Sequence, residues 1–142
     1  MPDNQKRQRW NRKASLRREG FQVDGGEHFQ IYVRFTTRTG RIVDFAVVLV
    51  VFHNGEEIQI ARYDNAHGFT HLDILDSQGN VDRKESHDHI PIEHAIRHAL
   101  DDFKKNWQTY EAHCFSHQAS KARSSSRRTS GNRGRPRKKD AS

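Results

Sequence analysis

The sequence predicts an α+β domain: an antiparallel meander of four or five strands, followed by one long C-terminal helix packed on one face. Two observations predict this class. Up to residue 85, apolar residues alternate with polar ones or form short runs between turn sequences, which is typical of consecutive strands. After Pro91 the apolar residues recur every three or four positions instead, which indicates an amphipathic helix.

The predicted strands differ in how they are buried. Residues 28–37 alternate between apolar and polar, as in a half-buried strand. Residues 42–53 are β-branched, aromatic and largely apolar on both faces, which predicts a central strand covered on both sides. Asn54-Gly55 then predicts a tight hairpin, because both residues accept positive φ. The later strands are residues 58–64, residues 70–75 and, as a short edge strand, residues 81–85.

The predicted helix begins at Pro91, which suits a first helical turn, and spans about 24 residues. One helix covers one face of a sheet, so the apolar second face of strand 42–53, with Val48, Val50 and Phe52, predicts another cover. We expect a homodimer interface or a folded-back N-terminal segment there. The apolar stripe of the helix consists of Ile92, Ala95, Ile96, Ala99, Leu100, Phe103, Trp107, Tyr110 and Cys114.

Charge divides the chain into three parts. The folded domain is expected at residues 21–115, between a basic disordered segment at 1–20 and a basic disordered tail at 116–142. Residues 1–19 hold seven Lys and Arg against two acids, and residues 116–142 hold nine against one, whereas the middle of the chain is net acidic. Because both ends have few large apolar residues, we expect them to remain disordered or to order on a polyanion such as nucleic acid.

The composition also limits the setting of the protein. No apolar run reaches the roughly 18 residues that a membrane span needs. No apolar segment follows the basic N-terminal stretch, as a signal peptide would require. The single cysteine, Cys114, excludes an internal disulfide, which fits a reducing compartment. We therefore expect a cytoplasmic protein without a membrane partner, and the sequence indicates no cofactor.

A polar cluster lies in RYDNAHGFTHLDIL, residues 62–75. The loop NAHGF is expected to join two strands and to hold His67 over the end of the sheet. Side chains at alternate positions share a face of a strand, so Arg62 and Asp64 face one way and Tyr63 the other. The candidate catalytic residues are Arg62, Tyr63, Asp64, His67 and His71.

In a first interpretation, this cluster cleaves a phosphodiester. His67 and His71 act as acid and base, because imidazole titrates near neutral pH. Arg62 binds the phosphate through two parallel hydrogen bonds, and Tyr63 positions the substrate or donates a proton.

In a second interpretation, the cluster binds a metal ion. His67, His71 and Asp73 are chemically suitable ligands, and the segment HDH at residues 87–89 can add more. The H-x-x-x-H spacing brings two ligands together only on a helix, however, and Gly68 favours a loop. No metal site is therefore assigned.

In a third interpretation, the cluster only shapes the hairpin. Asp64 and Asn65 cap the loop backbone, and Arg62 pairs with Asp64 or Asp73. The histidines are then ordinary surface or half-buried residues. The sequence leaves the three interpretations open.

The C-terminal tail contains GNRGRPRKK, residues 131–139, which resembles an AT-hook. The Arg-Gly-Arg-Pro core of an AT-hook lies extended in the narrow minor groove of A·T-rich DNA. Glycine lets the backbone approach the bases, proline keeps it extended, and the arginines enter the negative potential. The alternative is a generic basic tail that contacts phosphates only. The predicted DNA-binding residues are Arg133, Gly134, Arg135, Pro136, Arg137, Lys138 and Lys139.

Residues 28–112 resemble an uncharacterised bacterial domain family. The resemblance rests on a hairpin of the RYD-[NT]-A-H-G type, here Arg62 to Gly68, and on a helix ending in D-x-x-x-N-W-x-x-Y, here Asp102 to Tyr110. More distantly, the hairpin is similar to the TumE-type toxins of bacterial toxin–antitoxin pairs. That resemblance implies a small toxin that acts on nucleic acid, with RNA cleavage as a candidate activity and an antitoxin as a partner. The alternative is a non-enzymatic DNA-associated adaptor whose domain dimerises or binds another protein.

Overall fold

A computed structural model describes the backbone of residues 15–133 and the side chains of residues 15–116. The six strands form one antiparallel sheet in which each strand pairs with the next along the chain. The predicted α+β class, the meander and the single C-terminal helix are therefore confirmed. The elements are β1 (Leu16–Gly25), β2 (Phe29–Arg38), β3 (Arg41–His53), β4 (Glu56–Asp64), β5 (His71–Leu75), β6 (Val81–Ser86) and α1 (Ile92–Arg133).

The expectation of four or five strands is wrong, because β1 adds a sixth. It pairs with β2 along its whole length, and residues 16–20 of the segment assigned to a disordered N-terminus lie within it. As an edge strand it is mostly exposed, and it carries only three large apolar side chains, Leu16, Phe21 and Val23. The Phe21 ring contacts that of Phe35 at a centroid distance of 6.5 Å. Backbone pairing rather than burial holds such a strand, so the apolar pattern gave no signal.

The helix packs on one face of the sheet, against β2 to β5. Its residues Ala95, Ala99, Phe103 and Cys114 are fully buried in the core. A kink falls at Asn106, whose φ of −120° and ψ of 15° are not helical. The helix continues to residue 133, well beyond the predicted length of about 24 residues.

Strand register decides which side chains face the helix. In one row across the sheet, Val33, Val47, Tyr63 and Leu72 lie opposite one another and are buried in the core under the helix. The next residues along these strands therefore point to the other face of the sheet. Between residues 15 and 133 there is one helix, so this second face has no helical cover from the described chain.

The apolar second face of β3 is only partly buried. Val50 is buried and Val48 is half-buried, whereas 38% of Phe52 is exposed. A homodimer or the N-terminal segment as its cover stays a prediction, and residues 1–14 lie outside the described residues.

Candidate functional site

Five charged or titratable side chains converge on the sheet face opposite the helix, where β4, β5 and β6 lie side by side. Strand pairing places Arg62 opposite Asp73, Asp64 opposite His71, and Asp73 opposite Lys84. These five residues are called the rim cluster below. They come from three strands, so the sheet itself fixes their relative positions.

Arg62 lies between the two carboxylates of the rim cluster. Its Nη2 donates a hydrogen bond of 3.0 Å to Asp73 Oδ2. Its Nε lies 3.0 Å from Asp64 Oδ2, an ion pair whose angle does not make a hydrogen bond. The side chain of Arg62 remains 36% exposed, so part of the guanidinium is open to solvent.

Asp73 is almost fully buried, and besides Arg62 it forms an ion pair with Lys84. Lys84 Nζ lies 3.1 Å from Asp73 Oδ1. Burial acts to raise the pKa of Asp73, but the contacts with Lys84 and Arg62 outweigh it and hold that pKa below its ordinary value. In the cluster, the two carboxylates of Asp64 and Asp73 are thus matched by the two positive charges of Arg62 and Lys84.

His71 is held firmly by its neighbours. It is only 2% exposed, with Nε2 2.7 Å from Asp64 Oδ1 and Nδ1 3.4 Å from the carbonyl oxygen of Phe69. Both ring nitrogens therefore face acceptors within the protein. Neither is directed at solvent.

The β4–β5 loop is shaped by two residues at its start. The Ala66 N–H donates to Asp64 Oδ1, and the Gly68 N–H donates to the Asn65 carbonyl at 2.9 Å. The Asn65 amide joins the loop to β3, since it accepts from the Phe45 N–H and donates to a β3 carbonyl. Gly68 has a φ of 90°, which favours glycine. Asp64 and Asn65 thus cap the loop, as the structural interpretation predicts.

His67 is the exposed imidazole of this region. Its ring stacks on that of His71, with the centroids 5.5 Å apart and the planes 28° from parallel. Its ring nitrogens make no hydrogen bond to any residue that the structure describes. Phe69, also exposed, makes an edge contact with His71, with the ring centroids 6.0 Å apart. The loop therefore presents one accessible imidazole and one accessible phenyl ring, both in contact with the buried His71.

Tyr63 lies on the other face and does not join this group. Its hydroxyl donates a hydrogen bond of 2.8 Å to Asp102 on the helix. Asp102 also accepts from the Tyr110 hydroxyl at 2.5 Å and from the Asn106 amide at 2.7 Å. Burial, and then the contact with Asp102, raise the pKa of both tyrosines above the ordinary range. In the RYD sequence, the tyrosine side chain thus contacts the helix, whereas the arginine and aspartate side chains lie on the opposite face of the sheet.

Sequence reasoning did not identify Asp102 and Lys84 as parts of these networks. The spacing of Asp102, Asn106 and Tyr110, four residues apart each time, places them on one side of the helix and was the available signal. No comparable signal marks Lys84, because its role depends on the pairing of β6 with β5.

Three donors of the rim cluster are close enough to share a cation: atoms of Asp64, His71 and Asp73 lie within 4.8 Å of one another. Arg62 already contacts both carboxylates, so a metal ion would have to displace the guanidinium. The set proposed from sequence also included His67 and residues 87–89. The ring of His87 instead lies against Tyr63, 5.6 Å between centroids, away from the rim cluster.

The predicted DNA-binding residues fall at and beyond the end of the described chain. Arg133 is the last residue of α1, and nothing is described of its side chain. Gly134, Arg135, Pro136, Arg137, Lys138 and Lys139 lie outside the described residues. Within the described part of the chain, α1 is not apolar enough to cross a membrane.

The fold and the rim cluster define a small α+β protein in which a six-stranded meander carries a buried ion network on the face away from its helix. The chain belongs to a family known only as a domain of unknown function, DUF7718, whose model matches residues 11–119. The match spans all six strands and most of the helix and ends before the basic motif of the tail. Neither a curated protein nor a solved structure shows significant similarity to the chain.

Proposed function

We propose that the protein acts on nucleic acid as a toxin-like protein, and that the rim cluster is a rigid support for two reactive groups, Arg62 and His67. The observation that carries the proposal is the stack of exposed His67 on buried His71, which Asp64 holds beside a guanidinium fixed by two carboxylates. The resemblance to TumE-type toxins also supports an action on nucleic acid, as does the excess of basic residues at both ends of the chain.

The chemistry that suits this pair is transesterification of RNA. Arg62 would bind the phosphate and stabilise its developing negative charge, because a guanidinium matches two phosphate oxygens. His67 would accept the proton of the 2′-hydroxyl as its oxygen attacks phosphorus. The bond to the 5′-oxygen then breaks, and the same imidazole returns the proton to that oxygen. His71 supports the His67 ring in this scheme, and Tyr63 has no part in it.

The basic tail belongs to the proposal as a tether. Its Arg-Gly-Arg-Pro core would hold the protein on A·T-rich DNA in the manner of an AT-hook. An antitoxin protein and a cytoplasmic setting complete the toxin-like assignment.

A specific observation favours a second candidate, a non-enzymatic DNA-associated adaptor. The side chains of Asp64, His71 and Asp73 are buried, and their polar contacts are made largely with one another and with Arg62. A purely structural ion network has the same features. In that case the exposed Phe52 and half-buried Val48 on the same face would serve a protein partner or a second copy of the chain.

Cleavage of a single-stranded RNA by the purified full chain separates the two candidates. We expect His67→Ala to abolish cleavage and to relieve growth inhibition on overexpression, with an unchanged circular dichroism spectrum. His94→Ala, which removes an exposed imidazole from the helix, is the matched control and should behave like wild type. A DNA strand of the same sequence lacks the 2′-hydroxyl and should not be cut. Absence of cleavage by the wild type would leave the adaptor as the function, whereas equal cleavage by His67→Ala and wild type would overturn the assignment of His67.

A further inference from the structure

A second feature of the same sheet face is a cavity of about 520 Å³ at the end of β1, β2 and β3. Three arginines line it, Arg18 on β1 and Arg34 and Arg38 on β2. Thr36, Leu16 and the single carboxylate Asp44 also line it. Its volume falls in the range of ordinary ligand pockets, about 300–1,000 Å³.

Strand register explains why the arginines meet. Arg18 is paired with Thr36, so Arg34 and Arg38 are its two diagonal neighbours across the β1–β2 pair. Diagonal neighbours on one face have their backbones about 7–8 Å apart, within reach of side chains as long as arginine. All three arginines are exposed.

The three guanidinium groups lack the carboxylate partners that some other cations of this domain have. Arg62, Arg83 and Lys84 each form an ion pair with a carboxylate. By contrast, Arg18, Arg34 and Arg38 form none with any residue that the structure describes. Like charges placed side by side on a sheet repel one another. An anion in the cavity would remove that repulsion, and phosphate fits the planar guanidinium best.

The cavity also lies close to the rim cluster. Arg34 is in one row with Ala46, Asp64 and His71, each paired with the next across β2 to β5. Two strand spacings, about 10 Å, separate Arg34 from Asp64 along this row. One nucleic acid strand that crosses the sheet can therefore reach both the cavity and the exposed part of Arg62.

We propose that the cavity of Arg18, Arg34 and Arg38 is a docking site for the phosphodiester backbone of a single nucleic acid strand; this rests on the proposed action on nucleic acid. The arginines bind phosphate oxygens and the Thr36 hydroxyl donates to one of them. Leu16 supplies an apolar wall for a sugar or base. Asp44 opposes the phosphate and limits the affinity.

The test is binding of a fluorescent single-stranded RNA to the full chain by anisotropy at several salt concentrations. We expect the double variant Arg18→Gln/Arg34→Gln to weaken binding about tenfold and to lower the slope of log K against log salt by about 1.4, since each phosphate contact on a single strand contributes about 0.7. The double variant Arg17→Gln/Arg97→Gln is the matched control. Arg17 neighbours Arg18 but points to the other face, and Arg97 is exposed on the helix. It removes the same charge and should leave both values near wild type.

Asp44→Asn gives a prediction of opposite sign. Removing the carboxylate should tighten RNA binding severalfold while the melting temperature of this variant stays at the wild-type value. Tighter binding by the Asp44→Asn variant together with weaker binding by Arg18→Gln/Arg34→Gln supports the docking site.

The outcomes separate the docking site from the proposed function. If the wild type binds RNA and both double variants lose affinity equally, the docking site is overturned while action on nucleic acid survives. If the wild type binds no RNA, both ideas fall. If adenosine monophosphate binds in an Arg18-dependent way and RNA does not, the cavity takes a mononucleotide, and the strand proposal is overturned.

Discussion

The carboxylate of Asp64 and the imidazole of His71 lie 2.7 Å apart, on paired positions of neighbouring strands. The same carboxylate oxygen accepts the backbone N–H of Ala66, so it holds both the histidine and the first turn of the loop. Its second oxygen faces Arg62. One side chain therefore joins the strand, the loop and the cation that the candidate site depends on.

The first prediction concerns this junction. Asp64→Asn should lower the free energy of unfolding by about 1.5–3 kcal/mol, the usual cost of losing hydrogen bonds to a charged group. Urea denaturation measures it. Asp44→Asn, which changes an exposed carboxylate on the next strand, is the control and should change stability by less than about 0.5 kcal/mol. Equal stability of the two variants would mean that the Asp64 contacts add nothing to the fold.

A pH dependence follows from Asp73. Its folded-state pKa lies below the value of 3.8 for an ordinary aspartate, so the unfolded chain takes up the proton first as pH falls. The stability from its contacts with Lys84 and Arg62 is therefore present above about pH 4 and is lost as pH falls through the folded pKa. The difference in free energy of unfolding between wild type and Asp73→Asn should shrink as pH falls from neutral to below 3.8. A constant difference would contradict the assigned ion pairs.

Tyr63 gives a prediction on the alkaline side. Burial and the hydrogen bond to Asp102 raise its pKa above 10.0, so the unfolded chain ionises first as pH rises. Stability from the Tyr63–Asp102 contact is present below pH 10 and decreases above it. Tyr63→Phe should cost about 0.5–1.5 kcal/mol at neutral pH and should lose less stability than wild type above pH 10. Paired urea titrations at neutral and alkaline pH measure both effects, and parallel curves for the two proteins would contradict them.

Some elements of the fold could be predicted from local sequence patterns, and others could not. The alternation of residues 28–37 predicted β2, and Asn54-Gly55 predicted the turn between β3 and β4, because both signals are local. β1 was missed because an exposed edge strand carries little apolar pattern. Alternation also placed Arg62 and Asp64 together and Tyr63 apart, as the structure has them.

The division of roles between the two histidines needed the structure. His67 and His71 are the same residue type four positions apart, but His71 is buried against Asp64 whereas His67 is exposed, and this difference depends on the loop conformation. The contacts of Asp102 with Tyr63 likewise join residues that are 39 positions apart, and no local pattern reports such a pair.

Helix packing is tested at Trp107. Its indole lies against Phe29 and His28, at ring-centroid distances of 5.3 and 5.4 Å. Because Trp107 is only half-buried, Trp107→Ala should cost about 3 kcal/mol, the lower end for a truncated aromatic. Lys104→Ala, on the exposed side of the helix, should stay within about 0.5 kcal/mol of wild type in the same thermal or urea measurement. Equal stability of both variants would mean that the helix does not rest on β2.

The last prediction tests the tail, whose candidate residues were assigned from sequence alone. Deleting residues 131–139 should weaken binding to A·T-rich duplex more than to G·C-rich duplex, and should reduce the salt dependence of both. Gly134→Leu is the sharper variant because it keeps every charge but blocks the close approach of the backbone to the groove floor. We expect it to lose about tenfold in affinity for A·T-rich duplex, about 1.4 kcal/mol, with an unchanged slope against salt. Competition titrations with the two duplexes measure the preference directly. If Gly134→Leu binds both duplexes like wild type, the tail is a plain polycation that contacts phosphates without reading the groove.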